Sequence, residues 1–190
     1  MMDPQPSSKD KLRYDAATRA REFEIELFWK RSLFFWGFQA AAFVALATTH
    51  GKSPGLAVAV ASFGAMCAWV WTLANRGSKY WYESWEKKLQ SAEIMLTGPL
   101  FSDIEKPKEA GRWLSGKRYS VSRLAIGLSD YAVVFWVAAL VHEVASPWLC
   151  CLPPILVRIM AILFALGSTI YALVLRVRCV QHDDPRRPDA

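Results

Sequence analysis

Residues 75–90, NRGSKYWYESWEKKLQ, follow without a break on residues 55–74, GLAVAVASFGAMCAWVWTLA. Within a few positions the chain passes from uncharged hydrocarbon to cations, then to aromatics, then to alternating acids and bases. An environment that changes this fast along one helix is a membrane surface. Arg76 and Lys79 are placed to meet phosphates, and Tyr80, Trp81 and Tyr82 suit headgroup depth. The helix is expected to run on as far as Thr97 and to stop at Gly98-Pro99, with Gly77 permitting a kink.

Outward from this stretch, the composition agrees. The chain has 190 residues, is 53% hydrophobic and still carries 23 Lys and Arg. Its apolar residues are clumped into long blocks, at residues 32–49, 56–74, 124–141 and 155–175. Each approaches the roughly 20 residues that cross a bilayer core of about 30 Å. The first two blocks hold no charge; the third contains Asp130 and the fourth Arg158. The first lies behind a charged segment and lacks a small-x-small cleavage site, so it reads as a retained span rather than a signal peptide.

Charge sets the expected topology. Every Lys and Arg except Lys52 and Arg158 lies before the first block, between the second and third, or after the fourth. Four spans put those three segments on one face, and the positive-inside rule makes it the cytosol. The excess of cations is thereby explained as a collar at the lipid headgroups, with no nucleic acid required.

The expected organisation is a disordered N-terminus (residues 1–8), a first hairpin with a cytosolic stem (9–97), a cytosolic loop (98–118), a second hairpin (119–178) and a cytosolic tail (179–190). The fold class is all-α. Trp29, Lys30 and Arg31 mark the first crossing as Arg76, Lys79, Trp81 and Trp85 mark the second. Leu12, Ala16, Ala20, Phe23 and Leu27 form one amphipathic stripe; Trp81, Trp85, Leu89, Ala92 and Leu96 form another at the same spacing. The expectation is that the two stripes pack on each other beyond the membrane; the alternative is that the Trp stripe lies flat on lipid.

Polar residues at membrane depth are expensive and therefore candidates for function. They are Gln39, Asp130, His142, Glu143 and Arg158. Asp130 is expected about two turns into its span, with Gln39, Ser129, Tyr131 or a cation of the collar such as Arg123 as partner, either as a cation or proton site or as an interhelical hydrogen bond. Glu143 and Arg158 are expected to pair across the second hairpin, with His142 beside them. Gln39, Ser168 and Thr169 suit hydrogen bonding between helices, and Gly64, Ala65 and Ala68 permit close packing.

No nucleophile with a base, paired carboxylates, phosphate loop or zinc-type Cys/His spacing is present. His50 and His142 are expected outside and His182 inside. The expectation is therefore no enzyme, no cofactor and no metal; the partners are lipid, further copies of the chain and a possible cytosolic protein.

Residues 23–38, FEIELFWKRSLFFWGF, and 75–89, with GPL at 98–100 and YSVSRL at 119–124, resemble a family of small bacterial multi-pass inner-membrane proteins. It is similar to membrane effectors found beside retron and phage-defence cassettes. The resemblance implies a protein that compromises the membrane when triggered, and supplies no catalytic residues. Two functions are weighed: an oligomerising membrane effector, and a non-conducting scaffold that docks a cytosolic partner on its stem. A small transporter ranks third, because the spans lack Gly/Pro-broken helices.

Overall fold

The computed structural model describes residues 7–96, 119–149 and 154–179. Four helices account for nearly all of them: α1 (Ser8–Thr49), α2 (Pro54–Leu96), α3 (Val121–Leu149) and α4 (Pro154–Arg178). The segments expected as a disordered N-terminus, cytosolic loop and polar tail fall largely outside the described residues.

Local chemistry explains the helix ends. Ser7 caps α1 by accepting from the Lys9 N–H at 3.3 Å, and Asp10 favours the positive end of the helix dipole. Gly51, with φ +71°, turns the chain between α1 and α2 in a conformation that disfavours a Cβ. Ser120 caps α3, its Oγ accepting from the Arg123 N–H at 3.4 Å.

α1 has 42 residues, which at 1.5 Å per residue is about 63 Å, twice a bilayer core. α2 is as long and passes unbroken through Gly77. By length and composition α1, α2 and α3 are each able to cross a membrane, and α4 carries a shorter apolar stretch, Ile162–Leu175.

α2 is central, packing on α1 along one flank and on α3 along another. The reason is its spacing. Residues 57, 61, 64, 68, 71, 75 and 78 are all buried, and half-buried Tyr82 and Trp85 lead on to buried Leu89. Alternating steps of four and three make a seam with a mean period of 3.5, the pattern of left-handed helix packing. Its membrane half is Ala57, Ala61, Gly64 and Ala68, small enough for neighbouring backbones to come close. Trp136 of α3, fully buried, lies against this seam with Ala42, Ala61 and Ala68.

A Cβ added at Gly64 would run into the Trp136 indole. Gly64→Val is therefore expected to destabilise the α2–α3 contact by about 1–3 kcal/mol. Reversible unfolding in mixed micelles measures this; Gly77→Val is the control, because a Cβ at Gly77 meets open space.

The two arms of the stem pack on each other, on α2 through the expected stripe from Trp85 onward and on α1 through a shifted face. Leu12, Ala16 and Phe23 are exposed, as is Trp81; Ala20, Leu27, Trp85, Ala92 and Leu96 are half-buried, and Leu89 is buried. On α1 the buried stem residue is Ala17. The physical reason is that the seam is partly polar. Arg21 donates to the Tyr82 hydroxyl at 3.4 Å and lies over its ring, and Glu93 is buried. Such pairs fill a seam that an apolar count overlooks.

α4 runs antiparallel to α3 and meets it through side chains. Tyr171 donates to the Gly127 carbonyl at 3.0 Å, Tyr131 to Ser168 at 3.1 Å, and the Phe135 and Phe164 rings are 6.3 Å apart. Most of the other described side chains of α4 are exposed.

Candidate functional site

Within a bilayer core a polar side chain without a partner is costly, so pairing shows how each one is held. Within the spans, the described polar side chains that pair between α1, α2 and α3 form three levels.

The inner level begins with Arg31, which donates to Ser78 Oγ at 2.9 Å. Asn75, on the α2 seam, donates to Ser129 Oγ and to the Ala125 carbonyl, both at 3.1 Å. Beside it, Arg76 Nη2 donates to both oxygens of Asp130, at 2.9 and 3.1 Å. This ion pair is partly exposed, 58% at Arg76 and 31% at Asp130. It borders a cavity of about 250 Å³ lined also by Trp69, Thr72, Leu73 and Val133. The Thr72 hydroxyl is buried there with no hydrogen-bond partner among the described residues.

The middle level is Gln39. Its Oε1 accepts from Trp136 Nε1, and its Nε2 donates to the Gly64 carbonyl at 3.5 Å. One amide thus ties α1 to both other helices.

The outer level joins His50, at the end of α1, to Glu143 of α3. His50 Nδ1 and Glu143 Oε1 are 2.6 Å apart, and His142 Nδ1 is 3.8 Å from the same oxygen. Glu143 is 7% exposed, whereas both imidazoles are about half exposed. From Arg31 to His50 is 19 residues of continuous α1, about 28 Å, close to the thickness of a hydrocarbon core. Gln39 lies between them.

The sequence-based candidates thus find specific places. Gln39 binds helices together. Asp130 pairs with Arg76, one of the collar cations expected as its partners, rather than with Gln39, Ser129, Tyr131 or Arg123; Arg123 donates to the Arg178 carbonyl at 3.4 Å. Glu143 is engaged by the two histidines; the side chain of Arg158, its expected partner, lies outside the described residues. Asn75, His50 and Trp136 were not anticipated; for Asn75 the signal was its place on the four–three seam. Of the expected interface anchors, Trp29 and Trp81 are exposed, Lys30 and Lys79 reach Glu26 and Glu83 at 2.7 and 3.5 Å, and Lys88 lies over the half-buried Trp85 ring.

The model of the octameric membrane protein family matches residues 11–145. The chain belongs to this family. The matched region takes in α1, α2 and α3 almost to its end, with all three polar levels, and stops before α4. Membership makes the chain a membrane protein and accounts for helices whose large apolar side chains remain exposed, Leu33, Phe34, Met66 and Val134 among them. No curated protein and no solved structure matches the chain.

Proposed function

We propose that the protein is the protomer of an octameric assembly in the bacterial inner membrane, and that the assembly leaks ions when a signal reaches its cytosolic stem. It acts without catalysis or a cofactor, through four spans in two hairpins with both termini cytosolic. The observation that carries this reading is the Arg76–Asp130 pair. It sits on the surface of the three-helix unit, partly exposed, beside a cavity and an unpaired hydroxyl. An ion pair facing lipid would be costly; facing water between protomers it is not. The octameric family supports the assembly; the trigger rests on the resemblance of residues 23–38 and 75–89 to a family of small membrane proteins that is similar to membrane effectors.

Asp130→Asn tests the path. The amide keeps a hydrogen-bond acceptor for Arg76 and removes one negative charge. Cells induced to express the protein with its stem opened by Leu89→Lys are expected to depolarise, read with a voltage-sensitive dye, and adding Asp130→Asn is expected to alter or abolish the leak at equal expression. An unchanged leak removes Asp130 from the path. A reporter fused after Gly111 is expected to read cytosolic, and a periplasmic reading overturns the topology.

One observation favours the second reading, a non-conducting scaffold. Leu12, Phe23 and Trp81 lie exposed on the stem, where a cytosolic protein could dock. Under that reading, expression leaves the membrane potential untouched even when the stem is opened.

A further inference from the structure

The outer level holds more donor chemistry than a helix contact needs. We infer that His50, His142 and Glu143 form a binding site for a divalent transition-metal ion of the zinc class, independently of any ion path. One ligand atom from each residue falls within 4.8 Å of the other two. The imidazole centroids of His50 and His142 are 5.6 Å apart. Donors bound to zinc at about 2.0–2.1 Å in a tetrahedron stand roughly 3.3 Å from one another. The separations of 2.6 and 3.8 Å from Glu143 Oε1 bracket that value.

The parts are suited to closing on an ion. Glu143 is buried on α3 and fixes the carboxylate. The two imidazoles are half exposed, so each ring has room to turn toward the ion. Their exposure also leaves an open side, where water or an anion would take the fourth position. Two imidazole nitrogens and one carboxylate oxygen are a frequent zinc donor set, and without a thiolate the site excludes the softest ions. The carboxylate is the anion the ion requires, and it already faces both rings.

Position gives the site a consequence. α1 and α3 are not in direct backbone contact; α2 lies between them as their common neighbour. Near the turn between α1 and α2, an ion would clamp the end of α1 to α3. Binding is therefore expected to stabilise the three-helix unit, because the ligands converge only when it is folded.

The test uses the full chain, purified in detergent with an affinity tag free of histidine, stripped with a chelator and titrated with zinc against a chromophoric competitor. Wild type is expected to bind one zinc per chain and to melt at higher temperature when loaded. Cobalt in its place is expected to show the intense visible absorption of a four-coordinate ion. His50→Ala and His142→Ala are expected to bind zinc roughly 100-fold more weakly or not at all, and each to lose the rise in melting temperature on loading relative to its own metal-free form. Glu143→Gln is expected to do the same, and His182→Ala to bind as wild type. Wild type that takes up no stoichiometric zinc overturns the site. So does zinc binding that survives both histidine substitutions.

Discussion

Trp136→Ala is expected to destabilise the protein by about 3–5 kcal/mol, the largest effect of any single truncation in the three-helix unit. The ring is fully buried against Ala42, Ala61 and Ala68 and close to the Phe43 and Phe135 rings, with centroids 4.8 and 5.7 Å away. Its place cannot be refilled, because the opposing seam is made of small residues with no side chain to swing inward. The substitution also takes the Nε1–H from Gln39 Oε1. Trp136→Phe separates the two terms: it keeps most of the packing and loses only the hydrogen bond. Between helices in a membrane such a bond averages about 0.6 kcal/mol. Trp69→Ala is the control, since that ring is 54% exposed on the same helix pair. Unfolding titrations in mixed micelles give all three numbers. A Trp136→Ala loss no greater than that of Trp69→Ala would mean that α3 does not pack on α2 in this way.

Leu89→Lys is expected to open the stem. Leu89 is 2% exposed and occupies the last deeply buried apolar step of the four–three seam. The pairs Arg21–Tyr82 and Arg31–Ser78 set an antiparallel register that brings Leu89 level with Ala17. A lysine there must strand its ammonium in the seam or force the arms apart, and parting costs less than burying an unpaired charge. Amide exchange should rise by about a hundredfold or more across residues 9–25 and 82–93, while the membrane half of α1 and α2 stays protected. Leu12→Lys, on the exposed face, should leave exchange unchanged. Equal effects from the two substitutions would return the packing face to the apolar stripe.

That contrast shows where the sequence was legible. Long helices that outrun a bilayer core and the small-residue patch at Gly64, Ala65 and Ala68 could be read directly, because hydrocarbon length and side-chain size act along one helix. Polar residues at membrane depth could be picked out as well, and Gln39, Asp130, His142 and Glu143 all take part in the three levels. Their individual partners were not, beyond a collar cation for Asp130. Arg76 and Asp130, or His50 and Glu143, meet only once the register between helices is set, and no local pattern encodes that register. The stem face misled for a related reason. Counting apolar residues selects Leu12, Ala16 and Phe23, but Arg21, Tyr82 and Glu93 enter the seam as polar groups and turn α1 by about one residue, which carries Ala17 inward.

The three levels also explain why the proposed leak is gated rather than constant. Each ties helices of one protomer together, so none opens a path while the unit is intact. Arg76 and Asp130 form a charged pair that is partly exposed, and they lie at the stem end of the spans. A change in stem packing acts on α2 a few residues from Arg76.

The most direct measurement is potassium release from liposomes loaded with the salt and reconstituted with the purified protein. The account expects a tight wild type, rapid release from the Leu89→Lys variant, and release that falls or changes ion preference when Asp130→Asn is added to it. Liposomes that stay tight with the stem-opened variant, at a protein density that gives every vesicle at least one octamer, would contradict the account and leave the scaffold.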